Sequence, residues 1–175
     1  MGKKKAAKRR RRVPAAPARS SYPAGWNAAK PRQGEFARLQ ARMVGSPAWL
    51  SRIEDTVVSL VNEERRRRGL PPMRADARLS GAARTHSQDM SRRSYLDHIS
   101  PEGRTAYDRM LAAGYHHPAS ENIAQGYPTP HAVMHGWMAS PGHRANIVDP
   151  DFRAIGVGFA QGPDGPLWTQ TFGFT

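Results

Sequence analysis

Apolar positions recur at helical spacing after residue 46, and they predict a helix that ends near Gly69. Ser46 and Pro47 are typical of an N-cap followed by proline in the first helical turn. The predicted inner face consists of Leu50, Ile53, Val57, Leu60 and Val61. Four consecutive arginines at 65–68 fall in the last turn, where the helix dipole favours cations, so we interpret them as a solvated helix end.

The same periodicity predicts three further helices. The first runs from about Asp76 to Arg93. Its inner face would consist of Leu79, Ala82, Ala83, His86 and Met90. A short helix capped by Thr105 ends at Gly114, and another begins at residues 129–130 (Thr-Pro) and ends near Ser140.

The chain changes to a strand period after residue 154. Ile155, Val157 and Phe159 alternate with small residues, two of which are Gly156 and Gly158, and this is typical of a strand whose second face is closely approached. Asp-Gly at 164–165 predicts a turn, with a return strand over 167–173, and the segment 121–127 is a short strand or extended segment. Because the helices come first and a hairpin last, we predict a small, mainly antiparallel sheet with helices on both sides.

Positive charge is concentrated at the N-terminus. Of the net charge of +13, residues 1–48 contribute +12, because they hold 13 of the 27 Lys and Arg residues and one of the 14 acidic residues. Few large apolar residues accompany this charge, so we predict a disordered basic tail and linker over 1–45 and a folded domain over 46–175. The tail would contact anionic lipid, wall polymer or nucleic acid, or it is a solvated charge run without a specific partner.

The sequence lacks cysteine and long apolar stretches, and both absences limit the class of protein. Without cysteine, the chain has no disulfide, Cys-ligated metal or thiol nucleophile. The basic start lacks the apolar stretch of roughly 7–15 residues that a secretory signal requires, and no run approaches the ~20 apolar residues of a membrane span. We therefore predict no transmembrane segment, and the compartment is left open.

Eight short motifs follow one another after residue 50. They are VNEERRRRGLPP, AARTHSQDM, LDHISPEG, DRMLAAGY, ENIAQGY, WMASPGHRANI, IGVGFA and WTQTFG. In this order and spacing they resemble the bacterial branch of the CAP superfamily (cysteine-rich secretory proteins, antigen 5 and pathogenesis-related 1), also called SCP-like domains. The resemblance covers about residues 52–175 and implies an α+β fold, a three-layer α-β-α sandwich with a central cleft.

The resemblance also implies which residues line the cleft. It assigns His98, Glu121 and His143, to which we add Ser140 and Asn146. Two imidazoles and a carboxylate suit zinc or another divalent cation with an open position, so His98 and His143 are candidate ligands, with or without Glu121. The alternative is a buried hydrogen-bonded network that holds the loops in place.

The chain departs from the family pattern at two positions. Many eukaryotic members carry a second glutamate about one turn after the tryptophan, whereas Trp137 is followed here by Met-Ala-Ser, and Ser120 replaces the usual glycine before Glu121. The missing carboxylate weakens the case for tight metal binding and for two-carboxylate chemistry. We interpret Ser140 as the N-cap of the next turn rather than a nucleophile, and Asn146 as an amide that binds loop backbone.

The other histidines are interpreted as structural or solvated. We expect His86 to be a satisfied core histidine, and the neighbouring histidines at 116–117 to be solvated. His131 and His135 are four residues apart, a spacing that can bind metal, but the glutamate of a zinc-protease HExxH motif is absent between them. Because they lie away from the apolar face of their helix, we expect both to be exposed.

Three functions are compatible with these observations. The resemblance implies an extracellular-type module that binds a divalent cation, a small apolar ligand or a cell-surface ligand, and we favour this over an enzyme. We expect the module to be a monomer. The first alternative is a metal-assisted hydrolase or peptidase, in which Glu121 activates a water held by His98 and His143. The second is a surface protein tethered to polyanions by its tail. Family members are usually exported, but cytoplasmic retention is also compatible with the sequence.

Overall fold

The structure is a computed structural model that describes residues 47–175. The predicted tail over 1–45 and the predicted N-cap Ser46 lie outside these residues. The described elements are, in order, α1 (Pro47–Arg67), β1 (Arg74–Ala75), α2 (Ala77–Arg93), α3 (Ala106–Ala112), β2 (Pro118–Gln125), α4 (Pro130–Ala139), α5 (Pro141–Ile147), β3 (Ala154–Gly162) and β4 (Gly165–Gly173). In this part of the chain, no helix combines the length and apolar character that a membrane span requires.

The four strands form one sheet in the order β1-β3-β4-β2. The hairpin β3–β4 is antiparallel, and β2 pairs antiparallel with β4 from Pro118 to Gln125. This confirms the mainly antiparallel sheet predicted from the sequence. The exception is β1, whose two residues pair parallel with β3 and are too few to produce a detectable alternation of apolar and polar positions.

Helices cover both faces of the sheet, which confirms the predicted three-layer sandwich. On one face α1, α4 and α5 pack on the large side chains of β3 and β4, and Trp137 and Trp168 are buried there. On the other face α2 and α3 form a smaller cluster that includes Leu79 and Met110. The inner face predicted for α2 is buried throughout, whereas Leu50 at the start of α1 is exposed.

Two glycines allow α2 to lie directly on β3. A Cβ atom on Gly156 would lie 2.2 Å from the backbone of Leu79 and Ser80, and one on Gly158 would lie 2.2 Å from the backbone of Ala83 and Arg84. The close approach predicted from the alternation of glycine with large residues in β3 is therefore present, and it brings α2 within reach of β2.

Arg65 corrects the prediction of a solvated arginine run. Its side chain is fully buried, whereas the next three arginines are exposed as expected. The guanidinium donates hydrogen bonds to the carbonyl oxygens of Pro71, Ile147, Asp149 and Phe152 at 2.8–3.2 Å. The end of α1 is thus fastened to the segment that follows α5, and this fixes α5 in place.

Replacing either sheet glycine by alanine should destabilise the domain. The added Cβ meets helix backbone that cannot rotate away, so we expect Gly156→Ala and Gly158→Ala each to lower the free energy of unfolding by about 2–3 kcal/mol. Urea denaturation measures this, with Gly142→Ala as control, because Gly142 has no atom within 4 Å of its would-be Cβ. Equal stability of all three variants would contradict the proposed close contact.

Candidate functional site

The edge strand β2 carries the residues around which the site is built. Side chains alternate between the faces of a strand, so Glu121 and Asn122 point to opposite sides of the sheet. Glu121 is paired with Thr171, which bonds to the carbonyl oxygen of Leu79 in α2, and it therefore lies on the α2–α3 side. Asn122 lies on the α5 side. We refer to His98, Arg109, Glu121, Asn122 and His143 as the β2-edge site.

Glu121 is a buried carboxylate paired with a buried arginine. Its side chain is 2% exposed, and Nη2 of Arg109 donates to both of its oxygens, at 3.0 and 2.8 Å. Nδ1 of His98 lies 2.9 Å from Oε1. The structure thus joins two of the three predicted site residues directly and adds Arg109, which the sequence analysis did not identify.

Electrostatics keep Glu121 ionised. Burial on its own raises the pKa of this carboxyl, but the hydrogen bond from His98 and the positive charges around it outweigh burial, so the pKa lies below its ordinary value. A carboxylate can only accept hydrogen bonds, so the proton shared with His98 is on Nδ1. In the neutral ring, Nε2 of His98 therefore carries a lone pair.

Arg109 also positions the loop that carries His98. It lies in α3, whose start is fixed by a capping box between Thr105 and Asp108. Besides Glu121, its guanidinium donates to the carbonyl oxygens of Arg104 and His98, both at 2.9 Å. One guanidinium therefore holds the loop, α3 and β2 together.

His86 belongs to the same buried cluster. Its Nε2 lies 2.9 Å from the carbonyl oxygen of Asp97, so this nitrogen is the donor, and it is 3.8 Å from Oε1 of Glu121. Its Nδ1 is buried without a hydrogen-bond partner. We expected a core histidine whose hydrogen bonds are all satisfied, and this holds for Nε2 but not for Nδ1. Desolvation lowers the pKa of the His86 ring.

On the other face, Asn122 fastens α5 to the sheet. Its Nδ2 donates to the carbonyl oxygen of His143 and to Oε1 of Gln170, both at 3.1 Å, and its Oδ1 accepts from Nδ2 of Asn146 at 2.8 Å. Asn146 therefore binds a side chain, not the loop backbone that we predicted. His143 is half-buried, and burial, followed by the charge of His98, lowers its pKa.

Ser140 takes no part in this network. It occupies the N-cap position of α5, as predicted, but its side chain makes no capping hydrogen bond. Within residues 47–175 its hydroxyl has no histidine within hydrogen-bond reach. A nucleophilic serine requires such a base, so the structure gives no support to that role.

The histidines outside the site are placed as expected. His116, His117, His131 and His135 are all exposed. The members that sequence reasoning missed, Arg109 and Asn122, lie inside motifs that were used for the resemblance but were not assigned a role. The only sequence feature that could have indicated a buried role for Arg109 is its position directly before Met110, which was predicted to face inward.

The donor set does not fit a three-ligand metal site. Both oxygens of Glu121 accept from Arg109, and one also accepts from His98. Among the described residues, no group of three His, Asp or Glu side chains is arranged to hold a metal ion. A site formed by His98 and His143 alone stays a prediction.

Comparison with known proteins agrees with this fold. The model of the cysteine-rich secretory protein family, CAP, matches residues 58–172, and the chain belongs to this family. It is 44% identical over 128 residues to the uncharacterized protein YkwD of Bacillus subtilis (strain 168). That alignment covers 73% of this chain and 49% of YkwD, so the chain spans about half the length of this relative.

The domain is also similar to solved structures, which include the following two. The first is an extracellular protein containing a SCP domain from Bacillus anthracis str. Ames, with a TM-score of 0.65, 31% identity and coverage of 75% of this chain and 44% of that one. The second is an outer surface protein from Borrelia burgdorferi, with a TM-score of 0.63, 20% identity and coverage of 69% of this chain and 90% of that one. At that identity, the second likeness concerns the fold alone.

Removing Arg109 should leave a buried, unpaired carboxylate. We expect Arg109→Met to lower the free energy of unfolding by about 3–5 kcal/mol, and Arg109→Met with Glu121→Leu to recover part of the loss, because the charge is then gone too. The control is Arg93→Ala, which breaks an exposed pair with Glu102 and should cost at most about 1 kcal/mol. If Arg109→Met costs no more than this control in urea denaturation, the pair does not organise the site.

The free energy of unfolding should decrease in two stages as the pH is lowered. The pKa values of His86 and His143 are lowered in the folded state, so below about pH 6.5 the unfolded chain takes up protons first and stability is lost. The lowered pKa of Glu121 has the same sign and acts below about pH 4.3. The slope for each histidine is up to about 1.4 kcal/mol per pH unit.

In pH-dependent denaturation, His86→Gln should flatten the profile between pH 6.5 and 5, and His116→Gln in the exposed loop should not. Parallel profiles for all three proteins would contradict the assignment.

Proposed function

We propose that the domain is a binding module whose β2-edge site takes up a small ligand without hydrolysing it. The observation that carries this proposal is the enclosure of Glu121 by Arg109 and His98. A general base must be free to accept a proton from water or substrate, and this carboxylate is buried, ion-paired and held ionised. Its role is to orient His98.

The groups left for a ligand are two imidazoles and an apolar side chain. His98 is 30% exposed at its side chain, and its Nε2 has no partner among residues 47–175. Ile99, the next residue, is 51% exposed. A loop that carries both a hydrogen-bond acceptor and an exposed apolar side chain favours a ligand with an apolar body and a hydroxyl or amide donor. The similarity to the extracellular Bacillus anthracis protein supports the proposal that this function is carried out outside the cell or on its surface.

A hydrolase is the second candidate function. In this hydrolase the general base would be His98 and not Glu121. Glu121 bonded to Nδ1 of His98 is the arrangement by which a carboxylate orients a histidine base, so Nε2 of His98 would accept the proton. This replaces the assignment of Glu121 as base. The chemistry also requires a nucleophile or a bound water, and Ser140 has no base within hydrogen-bond reach in the described residues.

The test compares 1-decanol with decyl methyl ether, which has the same decyl chain but no hydroxyl donor. We expect the alcohol to bind about tenfold more tightly in NMR titrations, the equivalent of one hydrogen bond to Nε2 of His98. In His98→Leu, this preference should disappear while the ether binds unchanged.

The same titrations decide between the candidates. Equal binding of alcohol and ether to the unaltered protein, or binding of neither, would overturn the proposed ligand class. Hydrolysis of p-nitrophenyl decanoate that is lost in His98→Leu would replace the binding module with the hydrolase. We expect no hydrolysis above the rate in buffer.

A further inference from the structure

Two histidines on α4 lie outside everything assigned so far. His131 and His135 occupy positions i and i+4 of the helix Pro130–Ala139, and both are exposed. The buried residues of this helix are Val133, Met134 and Trp137, of which Val133 and Trp137 lie on the face opposite the pair. The pair therefore projects into solvent on the outer surface of the layer formed by α1, α4 and α5.

The spacing brings the two rings onto one surface strip. Residues four apart on an α-helix have Cβ atoms about 5–6 Å apart, and helical side chains lean toward the N-terminus, so His135 leans toward His131. Trp137 anchors this helix to β2 through a hydrogen bond from Nε1 to the carbonyl oxygen of Ile123, and Thr129 caps its first turn. The backbone that carries the pair is thus held in helical form before any ion binds.

Neither ring is engaged by the protein. Among residues 47–175, the side chains of His131 and His135 make no hydrogen bond, ion pair or ring contact. Two free imidazoles on a preformed helical turn can reach one ion together, and the second donor binds at the high effective concentration that a rigid link provides. Imidazole is a good ligand for borderline divalent metals, in the order Cu²⁺ above Ni²⁺ and Zn²⁺.

We propose that His131 and His135 form a two-histidine chelating site for Cu²⁺ and, more weakly, for Ni²⁺ and Zn²⁺, on the surface of α4. Water completes the coordination. The site differs from the β2-edge site in its ligands, its exposure and its supporting element, and it does not depend on Glu121 or on the proposed function. Only the neutral imidazole has a lone pair with which it can bind the ion.

The experiment is a calorimetric titration of the full chain with Cu²⁺ at pH 7.5. We expect His131→Ala and His135→Ala each to weaken binding at this site by about a hundredfold, because one imidazole loses the gain from chelation. His116→Ala removes an exposed histidine without an i+4 partner and should leave binding unchanged. His143→Ala removes a histidine of the β2-edge site and should also leave Cu²⁺ binding unchanged.

A rescue variant separates chelation from a general effect of histidine number. Ala139 is exposed and lies four residues after His135. Ala139→His should restore binding to His131→Ala, because it forms a new i,i+4 pair with His135. The same change in His135→Ala leaves histidines at 131 and 139, about 12 Å apart along the helix, and should not restore it.

Three results would overturn the proposal. The first is binding that is unaffected by His131→Ala and His135→Ala. The second is loss of binding in His143→Ala alone, which would place the ion at the β2-edge site. The third is equal rescue by Ala139→His in both backgrounds, which would mean that histidine number, not spacing, determines binding.

Discussion

The arrangement around β2 depends on one buried ion pair. A carboxylate that is 2% exposed is tolerated only if the protein replaces the water it has lost, and Arg109 supplies two of the hydrogen bonds that do so. The same guanidinium binds the carbonyl oxygen of His98, so the loop cannot move without disturbing the pair. The interaction that neutralises the buried charge therefore also orients the partly exposed imidazole of His98.

The alternation of side chains along β2 explains why the site lies at the edge of the sheet. Consecutive residues face opposite layers, so Glu121 fixes the His98 loop on one side while Asn122 fixes α5, and with it His143, on the other. A central strand would be flanked by neighbours on both sides, which would keep the two histidines apart. Only at an edge can elements from both layers meet around the strand, where burial, followed by the charge of His98, lowers the pKa of His143.

Sequence analysis predicted a residue's environment correctly where that environment follows from the helix or strand periodicity around it. Four of the five described helices, the C-terminal hairpin and the close approach at Gly156 and Gly158 were predicted from spacing and end signals, and α5 was not predicted. The association of His98 with Glu121 required the family resemblance. Arg65 and Arg109 were missed because a charged side chain in a helix is expected to be solvated. Their burial is decided by carbonyl oxygens and a carboxylate from other segments, up to 87 residues away in the case of Arg65.

The ion pair is also the reason why we propose binding rather than hydrolysis for this site. If Glu121 were free, its carboxylate could accept a proton or ligate a metal, but each of its oxygens already accepts a hydrogen bond from Arg109, and one accepts a second from His98. The second glutamate that many eukaryotic members carry is absent after Trp137. The remaining polar groups are two imidazoles, of which His98 has a tautomer fixed by Glu121 and His143 a lowered pKa. The proposed module would discriminate between ligands by hydrogen-bond direction and shape, because the ionised group that would drive chemistry holds the site together.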